Sequence, residues 1–363
     1  MDCKYRKSKI LNILMAFVLF VSFLIVCSAP SQPYSIIFSA ALKGNQDLYR
    51  ISGLDFQTLE RITFTPNEPE TNLKLSKNGK RFIYSISTPN LANYSIVVEL
   101  ETGERIELDN PSIGSGIALG WFANGDNVVL LNEHIPKLYS VKIQGKNVED
   151  LDILHNYDFS IVEDLDFSSD GKYLAYTEYH QTPNFLSTKS SFILNVETKQ
   201  VAHLFADKET ATCDKPLWSP SREQLLLYCN LDSTDTAIDR HVYLLNISGD
   251  SLAIDEVADI PCYDSFSWSP SGDQFIAYCR VENKTASLVI YNFDGSVLRT
   301  LDMIDMRIWE MSWSPDGQSI IYIAGDDRNT ANIYIMNSDG SGNHVITTEP
   351  SNYSHLLIYS LER

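Results

Sequence analysis

The chain has few basic residues for its length. Its 363 residues contain 28 Lys and Arg against 47 Asp and Glu, which gives a formal net charge of −19 at pH 7. Binding to a nucleic-acid backbone needs clustered positive charge, because much of the affinity comes from phosphate neutralisation and counterion release. The composition therefore argues against a nucleic-acid partner. With 44% hydrophobic and 21% charged residues, the chain is otherwise typical of a globular protein.

The sequence motifs of common catalytic and cofactor sites are also missing. The chain has no Gly-x-Ser-x-Gly nucleophile elbow, no glycine-rich phosphate loop, no dinucleotide fingerprint and no EF-hand spacing. A Cys-x-x-Cys metal motif is absent as well. We therefore expect no cofactor, no catalytic residue and no metal ligand. The small-molecule ligand, if there is one, is not indicated by any motif.

The N-terminal segment is typical of an export signal. Residues 1–9 contain four basic residues and one acidic residue, a net charge of +3, and residues 10–26 are almost wholly apolar. This pattern predicts a signal peptide or membrane anchor over residues 1–27, followed by a short linker over 28–32. Because the basic flank stays in the cytoplasm, we expect the rest of the chain on the other side of the membrane.

Two interpretations of the end of this segment are open. Leu24-Ile25-Val26-Cys27 resembles a bacterial lipobox, in which Cys27 would receive diacylglycerol, although Val26 departs from the small residue preferred before the cysteine. The alternative is an uncleaved anchor with Cys27 at the membrane surface. Both interpretations predict a membrane-anchored extracytoplasmic protein, in the periplasm or on the cell surface.

A short turn motif recurs through the rest of the chain. Its clearest copy is Trp313-Ser314-Pro315-Asp316-Gly317, and the fifth turn residue falls at positions 79, 125, 171, 222, 272 and 317. Pro, Asp and Gly at these positions favour a tight turn between two antiparallel strands. A third and a fourth short strand follow each turn. Four strands in a repeat of this length are typical of a β-propeller blade.

The two ends of the repeat region supply one further blade. Residues 34–38 match a second strand, and Leu357-Ile358-Tyr359 lies where a first strand is due after Trp313. The sequence therefore predicts an all-β, seven-bladed β-propeller over residues 33–363. The C-terminal strand is expected to pair with the N-terminal blade, which closes the ring and removes its open sheet edges.

The last full repeat carries a resemblance to a known family. Trp-Ser-Pro-Asp-Gly at 313–317 is followed by Ile-Tyr and then by Ile-Tyr-Ile-Met-Asn-Ser-Asp-Gly-Ser-Gly, which ends at 342. This pattern resembles the TolB-type, WD40-like propeller repeat, which is also found in the propellers of prolyl-oligopeptidase-like peptidases. The resemblance implies an architecture and no activity. The α/β domains of TolB and of the peptidases are not recognisable here, so we expect the propeller alone.

Four cysteines lie within the repeats, at Cys213, Cys229, Cys262 and Cys279. In each of two neighbouring blades, one cysteine precedes the turn and one follows it at nearly the same distance. Antiparallel partners bring their Cβ atoms close to disulfide range. We predict the disulfides Cys213–Cys229 and Cys262–Cys279, each joining the first and second strands of a blade. Four buried thiols are the alternative, but export favours oxidation.

Aromatic residues suggest packing more than ligand binding. Trp121, Trp218, Trp268 and Trp313 share one position of the repeat, which predicts that they pack between blades. Trp309 lies outside that position and is the best candidate for a surface aromatic, but core packing is the favoured interpretation for it as well.

Histidines give the alternative function. His134, His180 and His241 fall in connections between second and third strands, which share one face of the disc. Three histidines around a channel suggest a propeller enzyme, a metal-dependent lyase or hydrolase acting on extracellular carbohydrate. No two of them share an element at ligand spacing, so this remains the less favoured interpretation.

Carboxylates give the favoured interpretation. We expect the connections that precede the innermost strands to carry a candidate binding face of Asp164, Asp166, Asp264, Asp302, Asp305 and Glu310. Carboxylates on loops around a channel attract basic segments or cations, although a generally acidic surface explains the same charge. We therefore interpret the protein as an exported, membrane-tethered, non-catalytic scaffold for a protein or peptide partner in the cell envelope.

Overall fold

A computed structural model describes the repeat region of the chain. It covers residues 34–360 except for 43, 54–55, 66–68, 89–92, 109–115, 133–136, 145–147, 151–159, 182–186, 209–210, 232–239, 281–285 and 302–305. The predictions for residues 1–27 and 28–32, including lipidation at Cys27, lie outside the described residues. Among the residues that are described, no helix has the length and apolar character needed to cross a membrane.

The described residues form seven four-stranded antiparallel sheets, the blades. From the channel outward, blade 1 consists of β28 (Ser354–Ser360), β1 (Tyr34–Ala40), β2 (Asp47–Ser52) and β3 (Thr58–Arg61). Blade 2 consists of β4 (Glu70–Leu75), β5 (Arg81–Ile86), β6 (Tyr94–Glu99) and β7 (Arg105–Glu107). Blade 3 consists of β8 (Gly116–Trp121), β9 (Asn127–Asn132), β10 (Lys137–Lys142) and β11 (Val148–Asp150).

The remaining four blades repeat the same order of strands. Blade 4 consists of β12 (Ser160–Phe167), β13 (Tyr173–Gln181), β14 (Ser187–Asn195) and β15 (Val201–His203). Blade 5 consists of β16 (Thr212–Trp218), β17 (Gln224–Asn230), β18 (His241–Ser248) and β19 (Ala253–Ile260). Blade 6 consists of β20 (Cys262–Trp268), β21 (Gln274–Arg280), β22 (Ala286–Asn292) and β23 (Val297–Leu301). Blade 7 consists of β24 (Arg307–Trp313), β25 (Ser319–Gly325), β26 (Asn332–Asn337) and β27 (His344–Val345), with a 3-10 turn at Arg328–Thr330.

The ring closes through the first and last described strands. β28 pairs antiparallel with β1, with Ile358 opposite Ile36 and Ser360 opposite Tyr34. The innermost strands of blades 7, 1 and 2 contact one another across this junction. The prediction of a seven-bladed propeller closed by its C-terminal strand is therefore confirmed.

The turn between the first and second strands shows why its sequence recurs. In blade 7, Gly317 has a φ of 69° and its N–H donates to the Ser314 carbonyl over 2.8 Å. The Asp316 carboxylate accepts from the Gln318 N–H over 3.0 Å. Glycine adopts this left-handed conformation without steric cost, and Asp satisfies the exposed backbone donor. These turns define one face of the disc, the turn face. The opposite face, where chain segments enter the innermost strands, is called the connection face.

Tryptophans hold adjacent blades together, as their shared position predicts. The indole N–H of Trp121 donates to the Lys74 carbonyl over 3.1 Å, and that of Trp313 to the Ser267 carbonyl over 3.3 Å. Trp268 makes the same bond to the preceding blade. These three indoles therefore pack between blades and donate to the backbone of the preceding innermost strand, whereas the buried indole N–H of Trp218 has no hydrogen-bond partner.

Both predicted disulfides are present. Cys213–Cys229 joins β16 to β17 with a Cα–Cα distance of 4.1 Å, and Cys262–Cys279 joins β20 to β21 at 3.8 Å. All four cysteines are buried and stand directly opposite their partners in the strand pairing. The disulfides thus brace the innermost strands of two neighbouring blades.

Candidate binding site on the channel wall

A β-bulge interrupts the innermost strand of every blade. In all seven, the register between this strand and the second strand of the blade shifts near its middle. A bulge leaves one residue unpaired and turns its side chain to a new direction. Asn72, Lys215 and His355 occupy the same repeat position and have φ values of 53°, 54° and 57°. Such values are uncommon outside glycine, so this level of the channel wall holds local backbone strain.

The wall formed by blades 4–6 carries a network of charged side chains, which we call the ion-pair wall. Its members are Glu163, Asp164, Lys189, Asp214, Lys215, Arg240 and Asp264. Lys189 Nζ lies 2.7 Å from a Glu163 carboxylate oxygen and 3.5 Å from an Asp214 oxygen, and Arg240 lies 3.2 Å from Asp214. The network therefore links strands β12 and β14 of blade 4 to β16 of blade 5 and to the residue immediately before β18.

Asp214 is the buried centre of this network. It is only 8% exposed, and its Oδ1 atom has no hydrogen-bond partner. Burial raises the pKa of Asp214, and the charges of Lys189 and Arg240 oppose that rise. A buried carboxylate with two cationic neighbours is stable only while both remain in place.

Lys215 and Asp264 form the accessible part of the ion-pair wall. The Lys215 Nζ lies 2.7 Å from the Asp264 carboxylate and 3.1 Å from the Asp264 carbonyl, which links blade 5 to blade 6. Their side chains are 44% and 45% exposed. An ion pair with this exposure contributes little to stability, so its members can exchange partners readily.

Glu310 has a different role on the side of blades 7 and 1. Its two carboxylate oxygens accept hydrogen bonds from the backbone N–H groups of His355 and Leu356, over 3.1 and 3.0 Å. These are the bulged residues of β28, so Glu310 fastens blade 7 to blade 1. Burial lowers the pKa of His355, which Glu310 opposes and Lys74 and Arg328 reinforce.

Asp166 lies at the other end of the channel. It is next to the turn of blade 4. Its carboxylate lies 2.6 Å from Lys77 of blade 2 and accepts a hydrogen bond from the backbone N–H of Trp218 over 2.9 Å. Nearby, the turn face opens into a cavity of about 750 Å³ lined by Lys77, Trp268, Trp313 and residues of two further blades. Asp166 therefore joins blades 2, 4 and 5 and does not lie at the connection face.

The structure changes the placement of the predicted binding face. Asp164 and Asp166 lie in β12, Asp264 in β20 and Glu310 in β24, so all four belong to innermost strands and not to the connections before them. The error arises because the innermost strands begin several residues earlier than the sequence pattern indicates. Asp302 and Asp305 lie outside the described residues.

Of the three predicted histidines, the structure describes the side chain of His241 alone. His241 pairs with Asp259 of the outermost strand β19, away from the channel. His134 lies outside the described residues, and of His180 only the backbone is described. Within the described ranges, no group of three or more His, Cys, Asp or Glu side chains has the arrangement of a metal site.

Sequence reasoning missed the cationic half of the ion-pair wall. Lys189 lies near the start of the third strand β14 and Arg240 immediately before the third strand β18, and both reach the wall from the side, which no repeat position indicates. The spacing from Trp to the second strand is the same in blades 5, 6 and 7, so it gave no signal for these residues.

Comparison with known proteins supports the fold and leaves the function open. No protein-family model matches the chain, and no curated protein matches it in sequence. Among solved structures, it is similar to TolB from Acinetobacter baumannii (15% identity, 74% of this chain and 62% of that chain, TM-score 0.49). It is also similar to the Swd1 β-propeller domain from Myceliophteria thermophila (12% identity, 77% and 86% of the two chains, TM-score 0.54).

A third similar structure is an oligogalacturonate lyase in complex with manganese. The identity is 12%, the match covers 86% of this chain and 84% of the lyase, and the TM-score is 0.58. The chain spans less than two thirds of the length of the TolB structure. At these identities the likenesses show the fold alone. The molecule is thus a β-propeller protein.

Proposed function

We propose that this protein is an exported, membrane-tethered, non-catalytic β-propeller that binds a protein or peptide segment in the cell envelope. The segment docks on the connection face and contacts the ion-pair wall of blades 4–6. The observation that carries the proposal is the half-exposed Lys215–Asp264 pair beside the buried Asp214 network.

The charge of this wall favours a basic segment. Its four carboxylates exceed its three cations, and the chain as a whole has a formal charge of −19. A cationic side chain of the partner can replace Lys215 at Asp264, because the internal pair is exposed to water and weak. Complementary charge of this kind mainly accelerates association and selects partners.

The ionisable groups beside the channel are already engaged in ion pairs and hydrogen bonds, which supports a binding role without catalysis. Asp214 is held by Lys189 and Arg240, and Glu310 accepts two backbone hydrogen bonds. Side chains committed in this way position the wall and are poorly placed to transfer protons to a substrate. A binding scaffold requires no change in the pairing of these side chains.

The two disulfides support export. Structural disulfides persist in oxidising compartments and are rare in the cytosol. The tether itself rests on residues 1–27 of the sequence. It is tested by membrane fractionation and metabolic lipid labelling of the wild-type chain and of Cys27→Ser. Labelling that is lost in Cys27→Ser identifies a lipoprotein; unlabelled protein that stays with the membrane identifies a signal anchor. Wild-type protein free of the membrane contradicts the tether.

The binding role is tested by cross-linking capture from membranes with the full chain as bait. Asp264→Lys is expected to reduce capture of the partner several-fold, because it removes the accessible carboxylate and repels a basic segment. Asp273→Lys is the matched control, since Asp273 pairs with Arg222 across the same two blades over 2.6 Å but lies at the turn face. Equal capture by wild type and Asp264→Lys, or an equal loss in Asp273→Lys, contradicts the proposed site.

A further inference from the structure

Trp309 stands at the bulge of β24. The strand pairing skips this residue between Ile308 and Glu310, and its ring is half-buried near the start of the strand, toward the connection face. One part of the ring packs against the hydrophobic cluster shared by blades 7 and 1, and the indole N–H is buried without a hydrogen-bond partner. The ring is therefore held firmly in place.

Two arginines from different elements flank this ring. The guanidinium carbon of Arg307, in β24, lies 4.1 Å from the centre of the Trp309 ring, and that of Arg328, in the 3-10 turn, lies 5.8 Å from it. Both arginines are exposed. Stacking on an aromatic ring orients a guanidinium while leaving its N–H donors directed outward.

Among the described residues, neither arginine has a carboxylate at hydrogen-bonding distance. Five other arginines do, namely Arg50, Arg61, Arg81, Arg222 and Arg240, whereas Arg105 and Arg299 form no ion pair in the described part of the chain. Arg328 is 3.8 Å from Glu310, whose oxygens already accept two backbone hydrogen bonds. Among the described residues, Arg307 has no carboxylate partner. In a chain of charge −19, such a pair of guanidinium groups is an unusual local excess of positive charge.

We infer that Arg307, Trp309 and Arg328 form a carboxylate-binding subsite at the connection face. The two guanidinium groups supply N–H donors for the two oxygens of a carboxylate, and the indole, itself held by the core, orients them. The inference rests on the proposed function and specifies its partner: the docking segment presents a carboxylate here, from a free C-terminus or from an acidic side chain. Its basic residues then face the ion-pair wall on the other side of the channel.

Short peptides test the subsite without the natural partner. The full chain is immobilised in detergent, and surface plasmon resonance measures three probes: acetyl-Ala-Ala-Phe with a free C-terminus, its C-terminal amide, and acetyl-Glu-Ala-Phe amide. The free acid is expected to bind at least about tenfold more tightly than its amide, the effect of one charge-assisted hydrogen bond. Binding by the glutamate peptide identifies a side-chain carboxylate as a second source; its failure restricts the subsite to a chain terminus.

Variants of the protein locate the binding. Arg307→Gln and Arg328→Gln are each expected to weaken the free acid by about tenfold. Arg222→Gln is the matched control, because Arg222 stacks on Phe293 at 3.9 Å but already holds Asp273. Equal binding of acid and amide, no binding of either carboxylate at millimolar concentration, or an equal loss in Arg222→Gln overturns the inference. The capture experiment with Asp264→Lys is independent of this result, so failure of the subsite and failure of the scaffold function are distinguishable.

Discussion

The two sides of the channel use similar charged residues in different ways. On blades 4–6, carboxylates pair with lysine and arginine side chains, and the pair Lys215–Asp264 is half exposed. On blades 7 and 1, Glu310 is taken up by the backbone of the neighbouring blade. Whether a carboxylate is available to a partner is therefore decided by what donates to it, and not by its presence at the channel.

The two sides are also held in different ways. Disulfides brace the innermost strands β16 and β20, directly beside the bulges that carry Lys215 and Asp264. β24 and β28 depend on hydrogen bonds to Glu310 instead. The side with exchangeable ion pairs thus has covalent support, which lets its charged groups change partners while the strands stay in place.

Removal of a disulfide is expected to cause the largest loss of stability. Cys213→Ser with Cys229→Ser should lower the free energy of unfolding by about 3 kcal/mol, because the bond closes a short loop and so limits the conformational entropy of the unfolded chain. Urea unfolding of the oxidised wild type and of the double variant measures the change. A loss below about 1 kcal/mol would show that neighbouring strands, and not the disulfide, hold this side.

Glu310→Gln should have the next largest effect, about 2 kcal/mol of lost stability, because charge-assisted hydrogen bonds to two partly buried N–H groups are weakened. The measurement is urea unfolding, with hydrogen exchange at the amides of His355 and Leu356. In Glu310→Gln, hydrogen exchange should accelerate more at these two amides than at amides elsewhere in the ring. Unchanged exchange there would contradict the role of Glu310 as the link between blades 7 and 1.

Asp264→Asn should cost less than about 1 kcal/mol, since the ion pair with Lys215 is exposed and screened by salt. The comparison with Glu310→Gln is direct, because both changes remove one charge from an innermost strand. Unfolding measured at low and at high salt should show the small difference disappearing at high salt. A loss as large as that of Glu310→Gln would mean that the two sides of the channel are equivalent.

The smallest effect concerns pH and His355. Burial, Lys74 and Arg328 hold the pKa of His355 below its usual value of 6.5, against the opposing effect of Glu310. The unfolded chain therefore binds a proton more readily, and stability falls as pH decreases from 6.5 toward the lower pKa of the folded state. His355→Asn should remove this part of the acid sensitivity, because Asn does not titrate and tolerates the left-handed backbone. Thermal unfolding from pH 7 to pH 5 checks it, and an unchanged pH dependence would contradict the assignment.

Local signals in the sequence were sufficient for the fold. The turn residues around Gly317, the repeated tryptophan position and the cysteines on either side of two turns each report a short segment, and together they predicted seven blades, their closure and both disulfides. The site depends on contacts between distant segments, such as Lys77 with Asp166 and Glu310 with the backbone of His355. No local pattern encodes a bulge, and a bulge decides which side chain enters the channel.

Pairing of β28 with β1 also sets a condition on the order of folding. The hairpin of β1 and β2 can form early, but its inner edge has no partner until residues 354–360 have been synthesised and reach it. Contacts between such distant segments form slowly, because a long loop must close first. Until then the unfinished ring exposes an unpaired strand, at which other chains can add and aggregate. Addition of the last strand is therefore the step that removes this open edge.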